Sequence, residues 1–297
     1  MGVTVGDVAK VCVVGSVNLD QSFSVRALPQ PGETVLASSL SPSPGGKGGN
    51  QAVAAARAGA SVQLVAALGD DAAAEQLRAH LLRNDVGLGG TVTVPGPSGV
   101  AVIVVDEGAE NTIVVAPGAN SHLSMATARA RQTVASAEVV LLQLEIPLDA
   151  VLAAARVGRE AGALVMVNAS PSGADAGELA ALAEAVDVVI VNEVEATEWQ
   201  WPVEHLVTTL GASGASYRGT ERYFKTPSPP VEAVDTTGAG DVFAGVLAAE
   251  WHRGPEVALQ RACAAGALAT LASGAGDCAP YTDAIDDVLE TDHVLED

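Results

Sequence analysis

The chain has 297 residues, with 15 Lys and Arg against 36 Asp and Glu, a formal net charge of −21 at pH 7. That balance repels nucleic acid and anionic lipid surfaces, and it makes any cation beside an anionic substrate conspicuous. Apolar residues make up 48% and aromatics 3%, so a chain of this length buries a large core of small and branched side chains, which excludes disorder.

The opening stretch, MGVTVGDVAK, lacks the apolar run of a leader, and no later apolar run reaches the roughly 18 residues of a membrane span, so a soluble, cytoplasmic protein is expected. VCVVG (11–15) is a short apolar run ending at glycine, the form of a buried parallel strand. Comparable runs recur at VQLVAAL (62–68), EVVLLQL (138–144), ALVMV (163–167) and DVVIV (187–191). Between them lie alanine-rich segments with helical periodicity at 50–58, 72–83, 123–136, 147–161 and 175–185. The alternation predicts a three-layer α/β/α architecture around a mostly parallel sheet.

Two regions break it. Residues 20–44 hold strand-like pieces, QSFSV and ETVLASSL, marked off by PQPGE and SPSPGG; residues 91–116 hold GVAVIVV, DEGAEN and TIVVA, which is strand, turn, strand. Both are antiparallel β without helices, and together they predict a small lid sheet over the carboxyl ends of the main strands, where open α/β sheets bind ligands. From 240 the pattern is helical: DVFAGVLAAEW, PEVALQRACAAGALATLA, and an acidic amphipathic stretch from Thr282. No repeat or long linker intervenes, so residues 1–297 are expected to form one α/β domain carrying its lid.

DTTGAGD (235–241) sits at the mouth of the first of these helices. A helix start leaves backbone N–H groups without partners, and Gly238, Ala239 and Gly240 let an anion approach them unobstructed. Asp241 in the first turn would suit the helix dipole with no chemistry at all. Capping does not require GAG, however, and a carboxylate beside an anion hole is what phosphoryl transfer to an alcohol uses. Other signatures are missing. A Walker A loop fails because Ser41 stands where its first glycine belongs, GxGxxG fails at Phe243, and GxSxG fails at Ala215.

Among three lysines, Lys47 alone lies in a glycine cluster, GGKGGN (45–50), which reads as a close-approach loop before an alanine-rich helix, with Lys47 donating and Asn50 able to donate and accept. GSVNLD (15–20) places Asn18 and Asp20 two apart past the first strand, on one side of an extended chain. Either pair alone also serves as turn chemistry; together they suit a polyol. Cys12, Cys263 and Cys278 are odd in number and widely spaced, as in a reduced cytoplasmic protein, and the five histidines, His293 the last, show no metal-ligand spacing.

GSVNLD, PGETV, GGKGGNQAVAAARAGA with LGDD after it, QLEIP, NEVEA, TLGASG and DTTGAGDVFAG occur in the order and spacing of the PfkB sugar kinases, and over residues 10–285 the chain resembles their ribokinase branch. The resemblance implies an ATP-dependent kinase of the ribose 5-hydroxyl. Asn18, Asp20, Gly46, Lys47, Asn50 and Glu145 would hold the sugar, Asp241 would be the catalytic base, and Gly238, Ala239 and Gly240 would form the anion hole. Asn192 and Glu195 would organise Mg2+ and the ATP phosphates, with Thr209, Gly211, Gly214 and Gly240 beside the nucleotide. A monovalent cation, usually K+, would lie near Asp235, Thr237, Ala269, Ala272, Gly274 and Cys278, several of them through carbonyls. Cys278 departs from the common serine, and sulfur is a poor ligand for a hard cation.

A second departure is length: residues 193–208 are too few for the helix and extra strand of longer members, and WQWP fills the space. By the same resemblance a homodimer through the lid is expected. Rival expectations are the same chemistry on another pentose, deoxyribose or a nucleoside, and a non-catalytic sugar or nucleotide sensor. The sensor would be expected to have lost Asp241 or its glycines, and both are present.

Overall fold

The computed structural model describes residues 8–108 and 110–295, so the first seven residues, read above for a leader, lie outside the description, as does the side chain of His293. In chain order the elements begin with β1 (Lys10–Val14), β2 (Asn18–Ser24), β3 (Ser39–Gly45), α1 (Lys47–Arg57), β4 (Ser61–Val65), β5 (Ala67–Leu68) and α2 (Ala72–Arg83). There follow β6 (Val92–Thr93), β7 (Gly99–Val105), β8 (Asn111–Ala116), α3 (Ala128–Ala135), β9 (Val139–Gln143), α4 (Leu148–Glu160), β10 (Leu164–Asn168) and α5 (Ala176–Ala183). The last are β11 (Val188–Asn192), α6 (Glu195–Glu198), β12 (His205–Thr209), β13 (Ala215–Arg218), β14 (Tyr223–Thr226), α7 (Ala239–Glu250), α8 (Pro255–Ala269) and α9 (Thr282–Leu295).

The main sheet has eight strands in the order β14-β13-β12-β11-β10-β9-β1-β4, parallel from β12 to β4 and closed at one edge by the antiparallel pair β13 and β14. Alternation along the strands fills two cores. Val11, Val13, Leu141 and Ile190 face the layer containing α1, α2, α7, α8 and α9, while Cys12, Val14, Leu142 and Val189 face α3, α4 and α5. Strands buried on both faces read as unbroken apolar runs, which is why the sequence exposes them so clearly. The run 62–68 is the exception: it divides, β4 staying in the main sheet and β5 leaving to pair with β6.

The second sheet has the order β3-β2-β7-β8. Each insertion is antiparallel within itself, and the two join through a parallel pairing of β2 with β7. Its outer strand corrects the sequence reading. β3 takes only the last two residues of ETVLASSL and runs on through SPSPG, read above as part of a separator, while ETVLAS is irregular. Pro42 and Pro44 lie two apart on an edge strand, so both missing N–H groups can face the unpaired side.

The short segment 193–208 also holds more than its length suggested, namely the single turn α6 and the parallel strand β12. Trp199 and Trp201, 5.6 Å apart and edge to face, pack onto the core beside α3, α4 and α5. Among the described residues, no helix is long and apolar enough to cross a membrane.

Candidate active site

Because β1, β9, β10, β11 and β12 run parallel, their carboxyl ends lie along one edge, and each delivers a polar residue there. β1 leads to Ser16, Asn18 and Asp20, β9 to Gln143 and Glu145, β10 ends at Asn168, β11 at Asn192 and β12 at Thr209. Helices α1 and α7 bring the rest. They cross so closely that a Cβ on Gly245 would lie 2.4 Å from the Gln51 carbonyl oxygen. Gly245 is four residues past Asp241, on the same helix face, so this approach sets α1 against the carboxylate. Asn50 donates to Asp241 Oδ2 and Gln51 to Asp241 Oδ1, both at 3.0 Å.

The glycine cluster is split between two elements rather than forming a loop: Gly45 ends β3, Gly46 precedes the helix, and the rest is helical. Helix α1 starts at Lys47, with Gly48 and Gly49 in its first turn. A Cβ on Gly48 would meet the backbone of Gly15 and Ser16 at 2.7 Å, so the bare residue allows the helix end to sit on the β1–β2 connection. Glu145 caps that end: its Oε2 accepts from the Ser16 hydroxyl at 2.5 Å and the Lys47 amide at 3.2 Å. Gly46, at φ 85°, packs on Val17 and Asn18.

Asn18 and Asp20 are both buried on one side of β2. Burial, reinforced by the charges of Glu145 and Asp241, pushes the Asp20 carboxyl up to about 7. Asp20 Oδ1 is buried without a hydrogen-bond partner, an unmet acceptor of the kind a hydroxyl-bearing ligand satisfies. Burial would lower the Lys47 ammonium, but Asp241, Glu145 and Glu195 together outweigh it and hold the group above the ordinary lysine value. Lys47 therefore stays charged among carboxylates at neutral pH.

At the mouth of α7, Gly238 adopts φ 81°, ψ −9°, the left-handed conformation, and a Cβ there would lie 2.7 Å from Ala275 Cα. The amides of Gly240 and Asp241 have no acceptor among the described residues. A Cβ on Gly240 would meet nothing within 4 Å, so protein packing does not call for glycine at that position. Open amides at a helix N-terminus suit an anion.

Two adjoining spaces meet here. One, about 150 Å³, is lined by Lys47, Asn168, Asn192, Glu195, Thr209 and Asp241 among others. The other, about 700 Å³, lies beyond Asn192, Thr209 and Gly240, and Gly211, Gly214, Pro229, Pro230 and Phe243 contribute to its mostly apolar wall. That volume suits a nucleotide-sized ligand. Asn192 and Glu195 hold one another, the Glu195 amide donating to Asn192 Oδ1 and the Asn192 amide to Glu195 Oε2, each at 2.8 Å. The reciprocal cap fixes both side chains at the wall of the smaller space.

The 235–278 region packs behind the anion turn. Burial would raise the Asp235 carboxyl, but the Gly274 and Thr237 amides, each at 2.9 Å, hold it below the usual carboxylate range. Ala269, at the end of α8, turns its carbonyl to the Ala272 amide at 3.3 Å. Burial pushes the Cys278 thiol up to about 11, and it donates to the Ala275 carbonyl at 3.3 Å and more distantly to that of Thr237. An anionic carboxylate and peptide carbonyls fit a hard monovalent cation; a protonated thiol does not.

Four residues of the site were given no role from the sequence, although Gln51 and Gln143 lie inside the quoted motifs GGKGGNQAVAAARAGA and QLEIP. Asn120, beyond β8, donates to Asn18 Oδ1 at 2.8 Å and accepts from the Val17 amide at 3.0 Å. Gln51, Gln143 and Asn168 form a buried chain of amides behind Asp241. A clue was present: Gln143 and Asn168 are polar residues at the ends of apolar strand runs, where such residues turn toward the ligand edge.

The model of the pfkB family of carbohydrate kinases matches residues 8–282. The chain is 34% identical over 293 residues to the ribokinase of Haemophilus influenzae, covering 90% of this chain and 94% of that one. It is also 34% identical over 294 residues to the ribokinase of Bacillus subtilis, covering 94% and 99%. The solved structure of Arabidopsis thaliana ribokinase with ribose and ATP superposes with a TM-score of 0.87 at 27% identity, covering 95% of this chain and 99% of that one.

Proposed function

Because the chain belongs to the pfkB family of carbohydrate kinases, we propose that it transfers the terminal phosphoryl group of ATP to the 5-hydroxyl of D-ribose. The observation that carries this reading is Asp241, a buried carboxylate that follows open helix-end amides and borders the space shared with Lys47. Relatives named ribokinase, one of them solved with ribose and ATP, support ribose as the acceptor.

Asn18, Asp20, Gly46, Lys47, Asn50 and Glu145 bind the sugar. Asp20 supplies an unmet acceptor to a hydroxyl, while Asn120 occupies Asn18 Oδ1 and so turns the Asn18 amide nitrogen toward the ligand. ATP lies along the larger cavity, with Asn192, Glu195, Thr209, Gly211 and Gly214 beside it. Asp241 takes the proton of the 5-hydroxyl as its oxygen bonds to the terminal phosphorus and the bond to the bridging oxygen of ADP breaks. The amides around Gly238, Ala239, Gly240 and Asp241 meet the negative charge on the moving group.

Asn192 and Glu195 are the residues that would hold Mg2+, which when bound neutralises phosphate oxygens. Asp235 and carbonyls of the Thr237 and Ala269–Gly274 segments, rather than Cys278, would hold K+, which would add positive charge behind the anion turn. We also infer a homodimer through the lid, on the grounds that β8 is exposed along its whole length with Ile113, Val114 and Val115 open to solvent. The free cysteines Cys12, Cys263 and Cys278 fit a cytoplasmic setting.

The test is ADP release by the purified protein with ATP and a panel of ribose, deoxyribose, other pentoses and nucleosides. Strong preference for ribose is the expected result. Preference for another acceptor would keep the kinase and replace its substrate, while sugar binding without ADP release from any acceptor would favour a sensor.

A further inference from the structure

Asp241 is an acceptor, and this fixes the sense of every amide behind it. Gln51 Nε2 must face the carboxylate, and it donates to Asp241 Oδ1 at 3.0 Å and to Asn168 Oδ1 at 3.1 Å. Gln51 Oε1 then faces the other way, and Gln143 must present Nε2 to it, which it does at 2.6 Å. The consequence is that Gln143 Oε1 is buried with no partner, pressed against the backbone of Gly15, where a Cβ would lie 1.7 Å from it. Gln51 and Gln143 are wholly shielded from solvent. An orphaned buried carbonyl oxygen is costly, and turning Gln143 over to relieve it would set two carbonyl oxygens face to face. The orphan is thus explained by an amide chain whose direction the carboxylate sets.

We propose that Gln51, locked by Gln143 and Asn168, is a positioning residue that fixes the rotation of the Asp241 carboxylate, with Asn50 holding the other oxygen. An Asp side chain turns freely about its last bond unless both oxygens are held. Here donors from two successive residues of α1 pin one oxygen each and leave the remaining lone pairs in a set direction. Gln51 touches neither sugar nor nucleotide in this scheme, so its contribution is geometric, and it rests on the reading of Asp241 as the base.

Gln51→Met keeps the volume and removes the donor. It should lower kcat for ribose about 10- to 100-fold, the usual cost of misplacing a reacting group, with KM for ribose changed less than about threefold. Gln143→Met, remote from Asp241, should lower kcat in the same direction by less, and the double variant should be no slower than Gln51→Met, because the two act through one chain. In unliganded protein labelled with 15N, the Gln51 side-chain amide protons should exchange slowly, and Asp241→Asn should shift their resonances. Unchanged kcat in both single variants, losses that multiply in the double variant, or a KM increase that accounts for the whole loss would overturn the proposal. If Gln51→Met does not fold, Gln143→Met and the NMR measurement still decide it. If the unmodified protein phosphorylates no sugar, the proposed function fails, while the resonances independently report whether Gln51 is locked on Asp241.

Discussion

Gly240→Ala separates packing from chemistry at the anion turn. A Cβ on Gly240 meets nothing within 4 Å, and the residue borders both cavities. The methyl group therefore costs the folded protein no contact, and replacing glycine at a helical position restricts the unfolded chain, worth about 0.4–1 kcal/mol in favour of folding. For a chain of this size that is a Tm unchanged or raised by roughly 1–3 °C. The same methyl stands over the free amides of Gly240 and Asp241 and keeps the phosphoryl group at a distance, so kcat should fall about 100- to 1000-fold, the cost of losing an oxyanion donor. Gly238→Ala is the contrast: at φ 81° and with Ala275 Cα 2.7 Å from the new Cβ, it should destabilise by roughly 1–2 kcal/mol from conformation alone. Thermal melts without ligand and turnover with saturating ribose and ATP measure both. Full turnover in Gly240→Ala would refute the anion-hole reading, and a Tm loss matching Gly238→Ala would mean that the glycine serves packing.

Asp241→Ala should reduce turnover by about a hundred to ten thousand, the range of a general base, with ribose affinity by calorimetry nearly intact; retained turnover would remove Asp241 from the mechanism. Asp20 predicts a pH effect on the unliganded protein. Its carboxyl binds a proton more tightly folded than free, so the stability it contributes is complete below about 3.8 and lost as pH climbs to about 7. Melts from about pH 5 to about pH 8 should show this decline in the parent and a flatter profile in Asp20→Asn. Cys278→Ser should lower the potassium concentration needed for half-maximal turnover, since a hydroxyl oxygen suits a hard cation better than a thiol; an unchanged potassium curve would place residue 278 outside the cation's shell.

The parts of this protein legible in its sequence are those whose physics is local. Buried parallel strands must be apolar on both faces, so VCVVG and DVVIV declare themselves without reference to partners. The α2 boundaries at 72 and 83 coincide with the periodicity because Asp71 caps the helix through the Ala74 amide 2.9 Å away. DTTGAGD is legible for the same reason, since a helix start, a left-handed turn and a first-turn carboxylate are all set within seven residues. What went unread depends on neighbours distant in the chain. β3 reads as a break because two prolines forbid an interior strand, and its place at the sheet edge makes them tolerable. β12, β13 and β14 are short, half-exposed pieces whose pairing defines them.

The same division runs through the site. Alternation marked the chain as α/β, the ordered motifs marked it as resembling a sugar kinase, and DTTGAGD was legible as a helix start with Asp241 in its first turn, whereas the helix start inside GGKGGN read as a loop. Tertiary structure alone decided that Asn50 and Gln51, some 190 residues from Asp241, would grip its two oxygens, and that Asn120 would orient Asn18. It likewise decided that Asp20 would take up a proton near neutrality, because Glu145 and Asp241 were brought beside it in a buried place. Hydrogen bonds and charge–charge interactions depend on distance in space, and a linear sequence states that distance only where the backbone itself sets it.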